Sequence, residues 1–192
     1  FFGANLPGFG QKQADLFRQF PHANVMLALM RDGFHDQSVG GKVELRSDGS
    51  PLLDYPLTDY VLDGARRGML AMAEIQFEAG AKTVYPVHEL AVGYQSRSQA
   101  QAAIKALPLK PLLTRVVSAH VMGGCGMAST EKLGVTRPDG QHWQLKNLSV
   151  FDGSLFPTSI GANPQLSIYG LTTRLAGDLA ARLTNKPPPT LV

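Results

Sequence analysis

His120 is a titratable residue set just before a glycine-rich turn. It ends a run with apolar character, Arg115 to Val121, and leads into Met122-Gly123-Gly124-Cys125-Gly126-Met127. An imidazole changes charge near neutral pH, but the residue alone reads equally as reactive or structural. Further on, Asp152-Gly153 closes the short apolar segment Leu148 to Phe151. In open α/β sheets, ligands gather beyond such strand ends. An acid followed by glycine offers a carboxylate for a hydroxyl beside a backbone amide that can approach closely. Asn163-Pro164 then stands ahead of a long amphipathic stretch. Asn is favoured at a helix N-cap and Pro in the first turn, so a helix N-terminus with free N–H groups and a positive dipole end would face the same region. Spacing alone still favours the plainer alternative, a capped helix after an ordinary turn. A lone His on an apolar strand is likewise more often structural than reactive.

Other chemistries lack their residues. There is no G-x-S-x-G elbow, no Walker A loop (Gly40-Gly41-Lys42 lacks both the leading Gly and the hydroxyl residue) and no H-E-x-x-H. Gly8-Phe9-Gly10 runs into Gln11-Lys12-Gln13, so the third glycine of a dinucleotide fingerprint never comes. These absences remove whole enzyme classes from a complete chain and fewer from a fragment. The single cysteine, Cys125, excludes an internal disulfide framework and a Cys-rich metal site. A net charge of +3 on 192 residues, with no run of five like charges, gives nucleic acid nothing to hold. Hydrophobic residues at 44% argue for a packed core. No apolar stretch approaches the roughly 20 residues of a membrane span, and no signal peptide is visible. The chain opens Phe1-Phe2-Gly3 without an initiator Met, so a processed or truncated chain is expected.

The elements that must carry these residues follow from periodicity and punctuation. Residues 11–19 suit a short helix, with Leu16 and Phe17 on one side. Asn24 to Arg31 predicts a buried strand by its length and apolar content. Lys42 to Leu45 and Pro51 to Tyr55, joined through Ser47-Asp48-Gly49-Ser50, predict an antiparallel hairpin. Thr58 opens a helix whose stripe is Val61, Ala65, Met69, Met72, Ile75 and Ala79, and Gly80 stops it. Ser96 to Leu107 predicts a second helix, closed by Pro108 and Pro111. Arg115 to Val121 and Leu148 to Phe151 have strand character, with a polar, turn-rich stretch over 129–147 between them. Ile168, Leu171, Leu175, Leu179 and Leu183 mark a final helix, and the three prolines at 187–189 cannot continue it.

Taken together, His120-x-x-Gly-Gly-Cys, about 25 residues, then Asn147-Leu-Ser-Val-Phe-Asp-Gly-Ser-Leu-Phe-Pro-Thr-Ser-Ile-Gly-Ala-Asn-Pro and a terminal helix resemble the carboxyl-terminal region of the glucose–methanol–choline (GMC) oxidoreductases. The resemblance is strong over 115–184 and diffuse over 1–114. Asn163 makes the site similar to the His–Asn branch that holds cholesterol and choline oxidases. The resemblance implies an α+β / α/β fold: an antiparallel substrate-domain sheet with helices, plus the last strand and helix of a Rossmann-like FAD domain. It implies FAD, expected to be noncovalent, and oxidation of an alcohol. His120 would take the hydroxyl proton while hydride moves to flavin N5. Asn163 would hold the substrate oxygen and touch the flavin edge. The amides around Pro164 and Gln165 would face flavin N1 and O2, and Asp152 and Gly153 would contact the ribityl–pyrophosphate portion. Cys125 reads as packing. His22, His35, His88 and His142 have no motif context and read as surface or structural, with His88 a candidate border of a substrate cavity.

The sequence departs from that family in lacking the amino-terminal strand and G-x-G-x-x-G cradle. The expectation is therefore that 1–120 is the latter half of a substrate-binding domain and 121–192 the returning segment of the FAD domain. The portion holding FAD would be missing, and the chain alone would bind FAD poorly. The substrate leans towards a lipophilic alcohol, through apolar residues such as Phe34. Two alternatives stand: a non-catalytic fragment or small subunit that completes a partner's FAD domain, and a plain α+β binding module. The lack of disulfide chemistry and of an export signal favours the cytoplasm.

Overall fold

The computed structural model describes residues 2–188 and 190. It divides into two compact units, which are described in turn: Phe1–Met30, Asp36–Ser38 and Tyr55–Val117 form unit 1, and Arg31–His35, Val39–Asp54 and Ser118–Val192 form unit 2.

Unit 1 is built on a helix pair. After two short amino-terminal helices, α1 (Phe2–Asn5) and α2 (Gln11–Arg18), comes the long α3 (Asp59–Glu78), then α4 (Arg97–Ala106). Both long helices start as the sequence predicts. The Thr58 hydroxyl accepts from Val61 N–H, and the Ser96 hydroxyl accepts from Gln99 N–H. Gly80, at φ 90°, stops α3 in a conformation that a Cβ would strain. The buried core is Ala73 with Ala100 and Ile104, covered by Met69, Leu70, Phe77, Val84 and Tyr94. The apolar row of α3 thus runs Val61, Ala65, Met69, Ala73 and Phe77. Ile75, expected in the stripe, is 53% exposed. The i+4 steps won because small alanines let α4 approach closely. Arg66 completes the pair: its guanidinium donates to the carbonyls of Ile104 (2.6 Å), Lys105 (2.8 Å) and Leu107 (3.1 Å), the groups a helix C-terminus leaves without partners. Arg97 of α4 pairs with Glu74 and Glu78 of α3.

The expected buried strand Asn24 to Arg31 is not one. It is extended, without a ladder, and largely exposed. It runs against α3: Gln76 donates to the Asn24 carbonyl, a Cβ on Gly68 would lie 2.8 Å from Ala28 Cβ, and one on Gly64 would lie 3.4 Å from Met30 Sδ. Alternate residues therefore meet the helix, and Val25, Leu27 and Leu29 face away. Among the described residues no strand pairs with it, which is why its apolar content did not bury it. Arg115 to Val121 likewise forms no strand; next to it, Thr114 makes a single bridge to His88. His88 is fully buried, its Nδ1 accepting from Leu90 N–H and its Nε2 donating to the Pro108 carbonyl.

Unit 2 contains the hairpin as predicted, β1 (Lys42–Leu45) antiparallel to β2 (Pro51–Asp54), in the register Val43 opposite Leu53 and Leu45 opposite Pro51. Asp48 and Gly49, the latter at φ 80°, make its turn. This is the only sheet among the described residues. The expected larger antiparallel sheet and the last Rossmann-like strand do not form. Leu148 to Phe151 contributes one bridge, Ser149 to Gln141. The final helix α5 (Gln165–Thr184) does form, with Leu175 buried and Leu183, meant for the same stripe, 77% exposed.

Candidate flavin-side site

The site is assembled in unit 2 from loops and one helix end. Gly123 and Gly124, at φ 80° and 88°, turn the chain just after His120. That turn sets Cys125 N–H on the Ser154 carbonyl (3.1 Å) and Met127 N–H on the Leu155 carbonyl (2.8 Å). The two motifs that sequence spacing left separate are thus tied together through main-chain bonds. Behind them, Thr136 is fully buried and its hydroxyl donates to the Cys125 carbonyl at 3.0 Å. Further bridges, Met127 to Thr136 and Thr136 to His142, lock the 126–150 stretch. His142 Nδ1 accepts from the N–H groups of Gln144 and Leu145.

Asp152 caps the turn Gly153–Leu155: its Oδ1 accepts from Ser154 N–H at 2.8 Å and from the Ser154 hydroxyl at 2.5 Å. Among the described residues these are the hydrogen bonds its side chain makes, so Oδ2 is left as an acceptor. Gly153 is buried, and a Cβ there would lie 3.1 Å from the Val121 carbonyl oxygen and 3.1 Å from Ile168 Cδ1. Three pieces converge on this glycine: the residue after His120, the Asp152 turn and the first turn of α5. Glycine is needed here for close approach, and what fills the space is the chain itself.

Asn163 is exposed, and Pro164, buried, takes the N-cap position, its carbonyl accepting from Ile168 N–H at 2.8 Å. The cap therefore lies one residue later than the sequence predicts, and Asn163 is freed from capping. The Gln165 side chain donates to the Tyr169 hydroxyl at 2.7 Å, and no side chain caps α5. His120 is exposed, and among the described residues neither its ring nor the Asn163 carboxamide hydrogen-bonds to another group. Val121 and Ile168 were missed by sequence reasoning. Their types are ordinary apolar ones, and only the close approach at Gly153 reveals them.

The donor set fits one part of a dinucleotide cofactor. Uncapped N–H groups on a 20-residue helix, a free carboxamide, a free imidazole and a half-used carboxylate suit a ring edge that gains negative charge and a polyhydroxylated chain. A pyrophosphate cradle is not among these residues. Among the described residues no group of acidic, His or Cys side chains could hold a metal ion, and no helix is long and apolar enough to cross a membrane. Unit 1 holds a separate, largely apolar cavity of about 250 Å³ that includes Leu16, Tyr85, Val87 and Val92; His88 does not line it.

The model of the GMC oxidoreductases matches residues 36–172, and the chain belongs to that family. A long-chain-alcohol oxidase of Arabidopsis thaliana is 29% identical over 131 residues, 65% of this chain and 18% of its own length. A cholesterol oxidase of Acinetobacter baumannii is 39% identical over 67 residues, 35% of this chain and 12% of its own. An uncharacterised GMC-type oxidoreductase of Sinorhizobium fredii is 25% identical over 177 residues, covering 91% of this chain and 34% of its own length. The family is FAD-dependent, and alcohol oxidases are among this chain's homologues.

Proposed function

We propose that this chain supplies the proton-moving and ring-facing half of an FAD-dependent enzyme that oxidises the CH–OH group of an alcohol. The observation that carries the reading is the convergence on Gly153 of the His120 segment, the Asp152 turn and the first turn of α5. FAD, when bound, supplies the hydride acceptor. His120 takes the proton from the substrate hydroxyl, as a free, exposed imidazole can. The Asn163 carboxamide, released from capping, orients the substrate oxygen. The N–H groups around Pro164 and Gln165 favour negative charge at the ring edge. Asp152 Oδ2 would be the acceptor for a hydroxyl of the cofactor's ribityl chain, with the Gly153 amide as a neighbouring donor. Residues 1–120 act as the substrate half and 121–192 as the cofactor half. The names of the Arabidopsis and Acinetobacter relatives support a lipophilic alcohol as substrate. No G-x-G-x-x-G occurs in these 192 residues.

Expression of the whole reading frame tests this. The purified protein should show flavin absorption at about 450 nm and bleach on adding a long-chain primary alcohol without oxygen. A colourless protein that free FAD cannot reconstitute would instead support the other reading, a non-catalytic chain that completes a partner's FAD domain, which the absent cradle motivates.

A further inference from the structure

The loop that presents Asn163 is not held by its own neighbours alone. It runs Pro157-Thr158-Ser159-Ile160-Gly161-Ala162, and within it Gly161 N–H donates to the Ser159 hydroxyl at 3.3 Å. Against it lies a short segment from far earlier in the chain, Arg31–His35, which belongs to the same unit. A Cβ on Gly33 would lie 2.3 Å from Thr158 Oγ1. A Cβ on Gly161 would lie 2.7 Å from Arg31 Nη1 and 2.9 Å from its Cδ. The Arg31 guanidinium also lies over the Phe34 ring, whose centroid is 4.9 Å from the guanidinium carbon. Phe34 itself is 70% exposed and holds φ 57°, a left-handed conformation costly for a bulky side chain. Two glycines thus allow the close approach of segment and loop: Gly33 at Thr158, and Gly161, two residues before Asn163, at the Arg31 side chain.

We propose that Arg31 is a positioning residue of the alcohol-oxidising site: clamped between the Phe34 ring and Gly161, it fixes the 158–162 loop and through it the Asn163 carboxamide. This rests on the function proposed above. It gives Gly161 a defined role, since any side chain there displaces the guanidinium. It also makes Arg31 distinct from lysine, whose compact ammonium lacks the planar guanidinium that stacks on an aromatic ring.

Two readouts separate the inference from the reading beneath it. The first needs no cofactor. In amide hydrogen exchange on this chain, Arg31→Ala should speed exchange at 159–163 by about tenfold and leave α3 unchanged. Gly161→Ala should do the same, and the double variant should add little, because both act on one contact. The second uses the flavin-loaded protein. There Arg31→Ala should lower kcat by about tenfold with KM little altered, since a misplaced group costs rate before it costs binding. Arg31→Lys should recover only part of the loss, and added guanidinium ion should recover more in Arg31→Ala. Unchanged exchange at 159–163 overturns the clamp. Faster exchange with an unchanged kcat overturns its role in the site. A wild-type protein that binds no flavin sinks the underlying reading and the catalytic role with it, while the exchange result still decides the clamp.

Discussion

The α3–α4 pair and the 121–163 loops are held together by different means. In the helix pair, side chains decide: Ala73, Ala100 and Ile104 interdigitate, and Arg66 closes the end of α4. In the loops, the main chain decides: Cys125 and Met127 bond to carbonyls of 154 and 155, and Gly153 lies so close to the Val121 carbonyl that an added Cβ would be tightly packed at 3.1 Å. The first arrangement tolerates repacking, because volume can be redistributed. The second does not, because a carbonyl has no rotamer to change. A site that must hold an imidazole, a carboxamide and a helix end in fixed relation gains from the second kind of construction.

The comparison can be broken by substitution. The largest effect is expected at Ile104, fully buried at the heart of the helix pair: Ile104→Ala should cost about 2–5 kcal/mol in denaturant unfolding, while Ile104→Val should cost about 0.5–1.5. A graded series of this kind is the mark of side-chain packing. Gly153→Ala adds one methyl against a backbone carbonyl, and should cost about 1–3 kcal/mol, out of proportion to its size. Should Gly153→Ala prove neutral, the distinction between the two regions fails.

The smallest effect sharpens the account of unit 1. Glu89 holds the amino-terminal segment: its carboxylate accepts from Gly8 N–H at 3.1 Å and pairs with Arg115, and Lys12 donates to its carbonyl. The Gly8 hydrogen bond first, and Arg115 next, hold its carboxyl below the usual carboxylate range. A lowered folded-state pKa contributes stability that is present above the unfolded value, about 4.3, and is lost as pH falls through the folded value. Thermal melts should therefore show Glu89→Gln somewhat less stable than wild type at neutral pH and converging with it in acid. Parallel curves at all pH values would remove Glu89 from the acid response.

The helices were legible in the sequence because their signals are local. Thr58 and Ser96 cap, Gly80 stops, and apolar residues repeat at helical spacing, so each helix is written within its own residues. The hairpin turn at Asp48-Gly49 is equally local. The three expected strands were not realised for a single reason: apolar content predicts burial, but a ladder needs a partner, and no such partner lies among the described residues for 24–31, 115–121 or 148–151. The candidate residues His120, Asp152, Gly153, Asn163, Pro164 and Gln165 stand out in the sequence as a pattern of types, and their roles are those proposed above. Their supports do not: Val121, Ile168, Arg31 and Gly33 act through contacts between distant segments, and no spacing rule announces those. The one-residue shift of the α5 cap from Asn163 to Pro164 matters more than its size suggests, because it leaves the carboxamide without an internal partner.

The central claim is that His120 moves the substrate proton, and it is tested most directly in the reductive half-reaction. Flavin-loaded wild type and His120→Ala are mixed anaerobically with alcohol, and bleaching is followed by stopped flow. The account predicts that His120→Ala keeps its flavin and loses roughly 10²-fold or more in the rate of bleaching. A variant that bleaches as fast as wild type would contradict it.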